Sequence, residues 1–397
     1  MAIAGSTSRT KKAFIVIGIA ALLFLIFFSR IRMDALTALF MWDMLDGSTL
    51  HAPERGKLAW LTASPAMKSV EIAGKNGKIA ADLYYIEGGK PRAGLLLTHG
   101  IIEDGKNDPR LRRFAYSLAR VGFAVLVPDL KGMKSFRIAF SDVDDIVAST
   151  HYLASLKEIV DPEKLGLMGF SYAAGPTMMA AAAPDLRDHI KYVVSFGGYY
   201  DPVDVIRFIT TGYFEYGREK GHLEPQPYGK WVFFMNNVDY VGNEDDRKIL
   251  REIFKNEQME TPPDVAPLLQ RLTPNGKYVY ELLTNKDPSR TADLVQRIDP
   301  RLREYLQKLS LAPIVPAIRA RFIIGHGSTD PLIPYTESLR LADAVPDKSR
   351  VHVAILRLFT HVDPSQSRFS PKEYFTVYIP SAFQFYALIH DLLSQQR

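Results

Sequence analysis

Apolar and polar positions along residues 68–200 switch repeatedly between a period of two and a period near 3.6. Lys68 to Ala73 and Ile79 to Tyr85 read as strands flanking Lys75-Asn76-Gly77-Lys78, and the Asn-Gly pair predicts a hairpin. Gly94 to Thr98 reads as a buried strand, Pro109 to Arg120 as an amphipathic helix and Phe123 to Val127 as a further strand. Ser141-x-x-Asp144 reads as a capping box opening a helix that runs to about Leu156. Strands follow at Lys164 to Met168, Ile190 to Ser195, Arg321 to Ile324 and Val351 to Leu356, with a terminal helix from about Pro371 to Leu393. Strands separated by helices predict a mostly parallel sheet covered on both faces, with the first hairpin as its antiparallel edge.

Between Asp201 and Ala320 this alternation lapses into about 120 residues of helix and loop, too long for an ordinary connection. The segment 201–318 therefore reads as a helical cap inserted between two parts of one core, 66–200 and 319–397. Its aromatic residues, Phe208, Phe214, Tyr228, Trp231, Phe233 and Phe234 among them, have two readings. They line an apolar substrate pocket, or they form the cap's own core.

Ala13 to Ser29 carries no charge and reaches the short end of the length that spans a bilayer. Arg30-Ile31-Arg32 follows at once, without a convincing cleavage site, so 1–46 reads as an uncleaved single-pass membrane anchor with a juxtamembrane helix. Arg9, Lys11 and Lys12 outweigh Arg30 and Arg32, which places the amino terminus in the cytoplasm and the body outside it. Residues 34–46 read as an amphipathic helix along the interface with Trp42 as anchor, or as a helix packed on the body's own surface.

The chain has 49 Lys and Arg against 44 Asp and Glu, and five of those bases flank the apolar segment, which leaves 44 of each in the rest. A neutral body has no basic stripe for phosphates, so nucleic acid is not an expected partner. The absence of cysteine from the sequence rules out disulfides, thiolate metal sites and a cysteine nucleophile.

The chemistry concentrates at Leu165-Gly166-Leu167-Met168-Gly169-Phe170-Ser171-Tyr172-Ala173-Ala174-Gly175. A short apolar run ends at a glycine and a serine, and a small-residue helix follows. Such a turn lifts Oγ above a sheet and aims the Tyr172 N–H and the helix start at a reacting carbon. The run resembles the G-x-S-x-G nucleophile elbow of the α/β-hydrolases, with Gly169 in the first glycine position and Ala173 in the second.

In parallel α/β sheets ligands bind beyond the carboxyl ends of the strands. The strand Arg321 to Ile324 runs into Gly325-His326-Gly327-Ser328-Thr329-Asp330, and the last strand runs into Leu358-Phe359-Thr360-His361. Ser171, Asp330 and His361 thus follow one another in the order of the α/β-hydrolase triad, as nucleophile, orienting acid and general base. Asp201 is the reserve acid, Asp363 a weaker one, and His326 is expected to shape the acid's turn. His99-Gly100-Ile101-Ile102 resembles the superfamily's His-Gly element, so the Ile101 and Tyr172 N–H groups are the expected oxyanion donors, each worth roughly 3–4 kcal/mol. Pro128-Asp129-Leu130-Lys131-Gly132 resembles the next loop of the superfamily, except that Lys134 replaces its second glycine.

The resemblance covers about 300 residues and implies an α/β-hydrolase sheet with a cap, similar to serine-esterase-like or dienelactone-hydrolase-like members but with serine as nucleophile. The expected protein is a membrane-anchored serine hydrolase that cleaves a small-molecule carboxylic ester through an acyl-enzyme, with no cofactor and no metal. Two alternatives stand beside it: a peptidase or amidase with the same triad, and a catalytically silent scaffold.

Overall fold

The computed structural model describes residues 28–226, 230, 234–256, 264–361 and 370–396. Ten strands form in chain order: β1 (Ala66–Gly74), β2 (Gly77–Tyr85), β3 (Arg92–Thr98), β4 (Phe123–Pro128), β5 (Val160–Phe170), β6 (Ile190–Phe196), β7 (Tyr213–Tyr216), β8 (Glu219–His222), β9 (Arg321–Gly327) and β10 (Val351–Leu356). Eight of them make one sheet in the order β1-β2-β4-β3-β5-β6-β9-β10, and β7 and β8 make a separate hairpin. Pairing is parallel from β4 through β10, whereas β2 is antiparallel to both β1 and β4. This is the α/β-hydrolase arrangement, with the antiparallel pair at one edge.

Alternation along the central strands builds two cores. Leu96, Leu126, Val193 and Phe322 face one side of the sheet, and Leu95, Val125, Val194 and Ile323 face the other. The first side is covered by the helices Ser141–Ser155, Ala174–Ala181 and Thr336–Ala344. The second is covered by Pro109–Val121, by Ile379–Ser394 and by a helix over 28–45. Strands buried on both faces are apolar almost throughout, which makes them legible in the sequence.

Several details depart from the pattern. β5 and β9 run further than their apolar stretches, because the backbone ladder continues through Gly169 and Gly325 without needing a large side chain. The first hairpin turns on Lys75-Asn76, and Gly77 carries the positive φ of +115° as the first residue of β2. The expected capping box at Ser141 does not form: Phe140 is the N-cap and offers no side-chain bond. Asp142 Oδ1 accepts instead from the Gly132 N–H at 3.1 Å, which ties the helix to the loop after β4.

The expected membrane placement is corrected. Among the described residues no helix is long and apolar enough to cross a membrane. Residues 1–27 lie outside the described residues, so of the apolar run Ala13 to Ser29 only the last two, Phe28 and Ser29, are described. These open the helix over 28–45, which packs on the body. Met33, Leu36, Phe40 and Met44 form a buried stripe against the second core, while Trp42 is 61% exposed on the opposite side. The buried Arg113 guanidinium donates to the carbonyls of Met44 and Asp46 at 3.1 and 2.9 Å, satisfying groups that a helix end leaves open. The single-pass anchor and the export of the body find no support in the described residues.

The segment between β6 and β9 contains the helices Pro202–Thr211, Glu244–Asn256, Pro274–Thr284, Thr291–Arg297 and Pro300–Leu309 around a core of its own. It also holds the β7–β8 hairpin, which departs from the expected helices and loops because four-residue strands are too short to show a period. Phe208 is fully buried and Phe214 and Phe234 nearly so, whereas Tyr228, Trp231 and Phe233 lie outside the described residues.

Candidate active site

β5 ends at Phe170 in extended conformation, and Ser171 follows with φ of +54°. A left-handed conformation at a residue with a side chain costs about 1–3 kcal/mol and persists where surrounding structure enforces it. The enforcement is visible at Gly169, where an added Cβ would lie 2.7 Å from both the Ala174 Cα and the Thr177 Oγ1. A 3-10 turn over Ser171–Ala173 then leads into the helix Ala174–Ala181.

The hydroxyl has a relay behind it. His361 Nε2 lies 2.9 Å from Ser171 Oγ, and His361 Nδ1 bonds to Asp330 Oδ2. Asp330 is fully buried, and its Oδ1 accepts from the Leu332 and Ile333 N–H groups at 2.8 and 3.0 Å. Burial alone would raise this carboxyl. The His361 charge and hydrogen bonds from His326 and His361 outweigh it and hold the group at about 2. His326 Nε2 bonds to the Ile333 carbonyl at 2.9 Å and its Nδ1 faces Ser338 Oγ at 2.7 Å, so this imidazole braces the acid's turn.

The reserve acids are placed elsewhere or not described. Asp201 is the N-cap of Pro202–Thr211, its Oδ1 accepting from the Val203 N–H at 2.8 Å. Asp363 lies outside the described residues. The turn after β3 stands beside the elbow: a Cβ on Gly100 would lie 3.5 Å from the Phe170 carbonyl and from Ser171 Cβ. Ile101 follows it, and Tyr172 is the second residue of the 3-10 turn, where the first N–H groups lack intrahelical acceptors. The buried His99 accepts from the Leu130 N–H at 3.0 Å through Nε2, and its Nδ1 meets the Gly100 carbonyl at 2.8 Å. Burial pushes its pKa down, so it braces this turn as a neutral ring. Lys134 pairs with Asp129 at 2.9 Å in the adjoining loop.

A cavity of ≈ 670 Å³ opens at Ser171 and His361, within the range of small-molecule sites. Under the inserted segment its walls are Val205, Ile206, Ile209, Leu306 and Leu309, and the expected aromatics Phe208, Phe214 and Phe234 are not among them. Phe234 joins the core of the inserted segment, whereas Phe208 packs on Phe214, which in turn meets Tyr335 of the sheet domain edge to face. The phenylalanine walls come from the sheet domain instead: Phe170 ends β5, Phe196 ends β6 and Phe359 follows β10, while Phe114 and Phe385 stand on its helices and Phe136 on a loop. Phenylalanine as the last residue of both β5 and β6 is the signal the sequence offers for them. Among the described residues no group of three or more His, Cys, Asp or Glu is placed to hold a metal ion.

The model of the prolyl oligopeptidase family matches residues 109–250, which include Ser171 but neither Asp330 nor His361. Dipeptidyl peptidase 8 of Mus musculus and of Homo sapiens are each 29% identical over 126 residues, covering 29% of this chain. The chain spans 13% of the length of these curated relatives. Among solved structures, Pyrococcus horikoshii acylaminoacyl peptidase aligns with TM-score 0.47 and 13% identity, over 84% of this chain and 42% of that one. Est1E from Butyrivibrio proteoclasticus aligns with TM-score 0.47 and 15% identity, over 82% of this chain and 98% of that one.

Proposed function

We propose that the chain, with the sheet order of an α/β-hydrolase and a serine at the turn after β5, is a serine hydrolase of that superfamily that cleaves a carboxylic ester through a covalent acyl-enzyme. The observation that carries this reading is the continuous contact from Ser171 Oγ through His361 to a buried, ionised Asp330. Ser171 Oγ attacks the carbonyl carbon while His361 Nε2 takes its proton. The tetrahedral adduct's oxygen is held by the N–H groups of Ile101 and Tyr172. Collapse breaks the bond to the alcohol oxygen, which receives the proton from His361. Water then gives a proton to His361 and attacks the acyl carbon, and Ser171 regains its proton as the acid leaves. Asp330 holds the imidazole in one tautomer and balances its charge in each step.

The apolar walls beside the serine favour an ester over a peptide, whose buried amides each need a partner. The prolyl oligopeptidase family match favours a second reading, a peptidase or amidase built on the same three residues. A fluorophosphonate probe tests the nucleophile: labelling of the wild type and none of Ser171→Ala is expected. A folded wild type that stays unlabelled overturns the reading in favour of a silent scaffold. Esters and amides with the same acyl group then separate the two chemistries.

A further inference from the structure

The cavity does not stop beneath the inserted segment. A second arm passes behind the serine, between the sheet and the terminal helix. Its floor is Met168, Val194 and Ile323, which stand in register on β5, β6 and β9 and face the second core. Met168 lies three residues before Ser171, so the arm descends about 10 Å along the strands. Its roof is Phe385, Leu388, Ile389 and Leu392, one face of Ile379–Ser394 and again about 10 Å long.

Phenylalanines ring the entrance. Phe114, Phe170, Phe196, Phe359 and Phe385 meet edge to face in series, with centroids 5.4, 6.2, 5.3 and 4.8 Å apart. Phe170 precedes Ser171 and Phe359 lies two residues before His361, so the ring joins the arm to the reacting groups. The side chains of floor, roof and ring carry hydrocarbon and thioether atoms, and the charged residues that line the cavity, Asp108, Arg110, Arg113 and Lys230, are none of these. Water placed there would lack the polar partners it needs. Protein interiors otherwise close to high density, so a slot kept open through a core is a feature with an occupant. Its long, narrow shape, between a flat sheet and one helix face, suits a linear chain.

We infer that this arm binds a long hydrocarbon chain of the substrate, making the substrate class a long-chain ester. The inference rests on Ser171 as the nucleophile. Two ester series test it: p-nitrophenyl esters of acids from acetyl to palmitoyl, and acetates of alcohols of matching length. In one series kcat/KM is expected to rise up to about fourfold per methylene until the arm fills, which also identifies the half that carries the chain. Val194→Leu on the floor and Ile389→Trp on the roof narrow the arm and are expected to lower the long-to-short ratio of kcat/KM at least tenfold. A labelled, ester-cleaving enzyme that is indifferent to length in both series overturns the inference. So does a length preference that survives both substitutions. Without labelling or turnover the proposed function fails, and the arm is then decided by binding of a fluorescent dodecanoic acid. Saturable binding that Ile389→Trp weakens at least tenfold supports the arm, and no binding overturns it.

Discussion

Asn237 clamps Phe136 across the boundary between the inserted segment and the sheet domain. Its Nδ2 donates to the Phe136 carbonyl at 3.1 Å, and its Oδ1 accepts from the Ile138 N–H at 2.9 Å. Phe136 has φ of +56° and lines the cavity, so a strained residue forms part of the wall. Tyr240 and Tyr305 both donate to the Ile138 carbonyl from the same side. Asn237→Ala is expected to cost about 1–3 kcal/mol of stability, because it removes a partner from two buried backbone groups. It is also expected to raise KM more than it lowers kcat, since the wall moves and the reacting groups do not. Denaturant melts and ester kinetics on the same preparation check both.

Asp330 and Asp201 make a paired test of the orienting acid. Asp330→Asn is expected to lower kcat by about four orders of magnitude, the scale of such a change in a serine protease triad. Asp201→Asn keeps a good N-cap and is expected to leave turnover within a few-fold. The opposite ranking would move the acid to Asp201. The low pKa of Asp330, about 2, contributes stability that is fully present above about pH 4 and lost as pH falls through about 2.

Glu337 joins the start of the inserted segment to the helix after the acid's loop. Its Oε2 accepts from the Tyr200 and Asp201 N–H groups at 2.9 and 2.7 Å. Burial pushes its carboxyl up to about 8; the Asp201 N–H bond opposes this and the Asp204 charge adds to it. The folded chain therefore holds a proton up to about pH 8 that the unfolded chain releases near 4.5. Between those values the unfolded state binds fewer protons, so this group's contribution falls as pH rises, by at most about 1.4 kcal/mol per unit. Urea melts at pH 5.5 and 8 are expected to show a smaller difference for Glu337→Gln than for the wild type. An unchanged difference would place the titration elsewhere.

Phe40 tests the corrected role of the helix over 28–45. It is fully buried and meets Phe114 edge to face at 5.6 Å. Phe40→Ala is expected to cost about 3–5 kcal/mol, as for a core phenylalanine, whereas Trp42→Ala on the exposed side is expected to cost far less. Equal, small effects on chemical denaturation would detach this helix from the core.

Periodicity alone determined the main elements of the sheet domain, because its strands bury both faces and its helices bury one stripe. The strand-end positions of residues 171, 330 and 361 were legible for a related reason: the parallel sheet brings its carboxyl ends to one edge, whatever the loops between them do. Tertiary structure decided the rest. Whether the stripe Met33, Leu36, Phe40 and Met44 meets lipid or protein depends on a surface built by the distant segments 109–121 and 379–394. The roles of Glu337 and Asn237 likewise depend on backbone groups more than 90 residues away. The rear arm is the clearest case. It exists where side chains from β5, β6, β9 and the terminal helix stop short of one another, and a void between distant residues leaves no period in any of their local sequences.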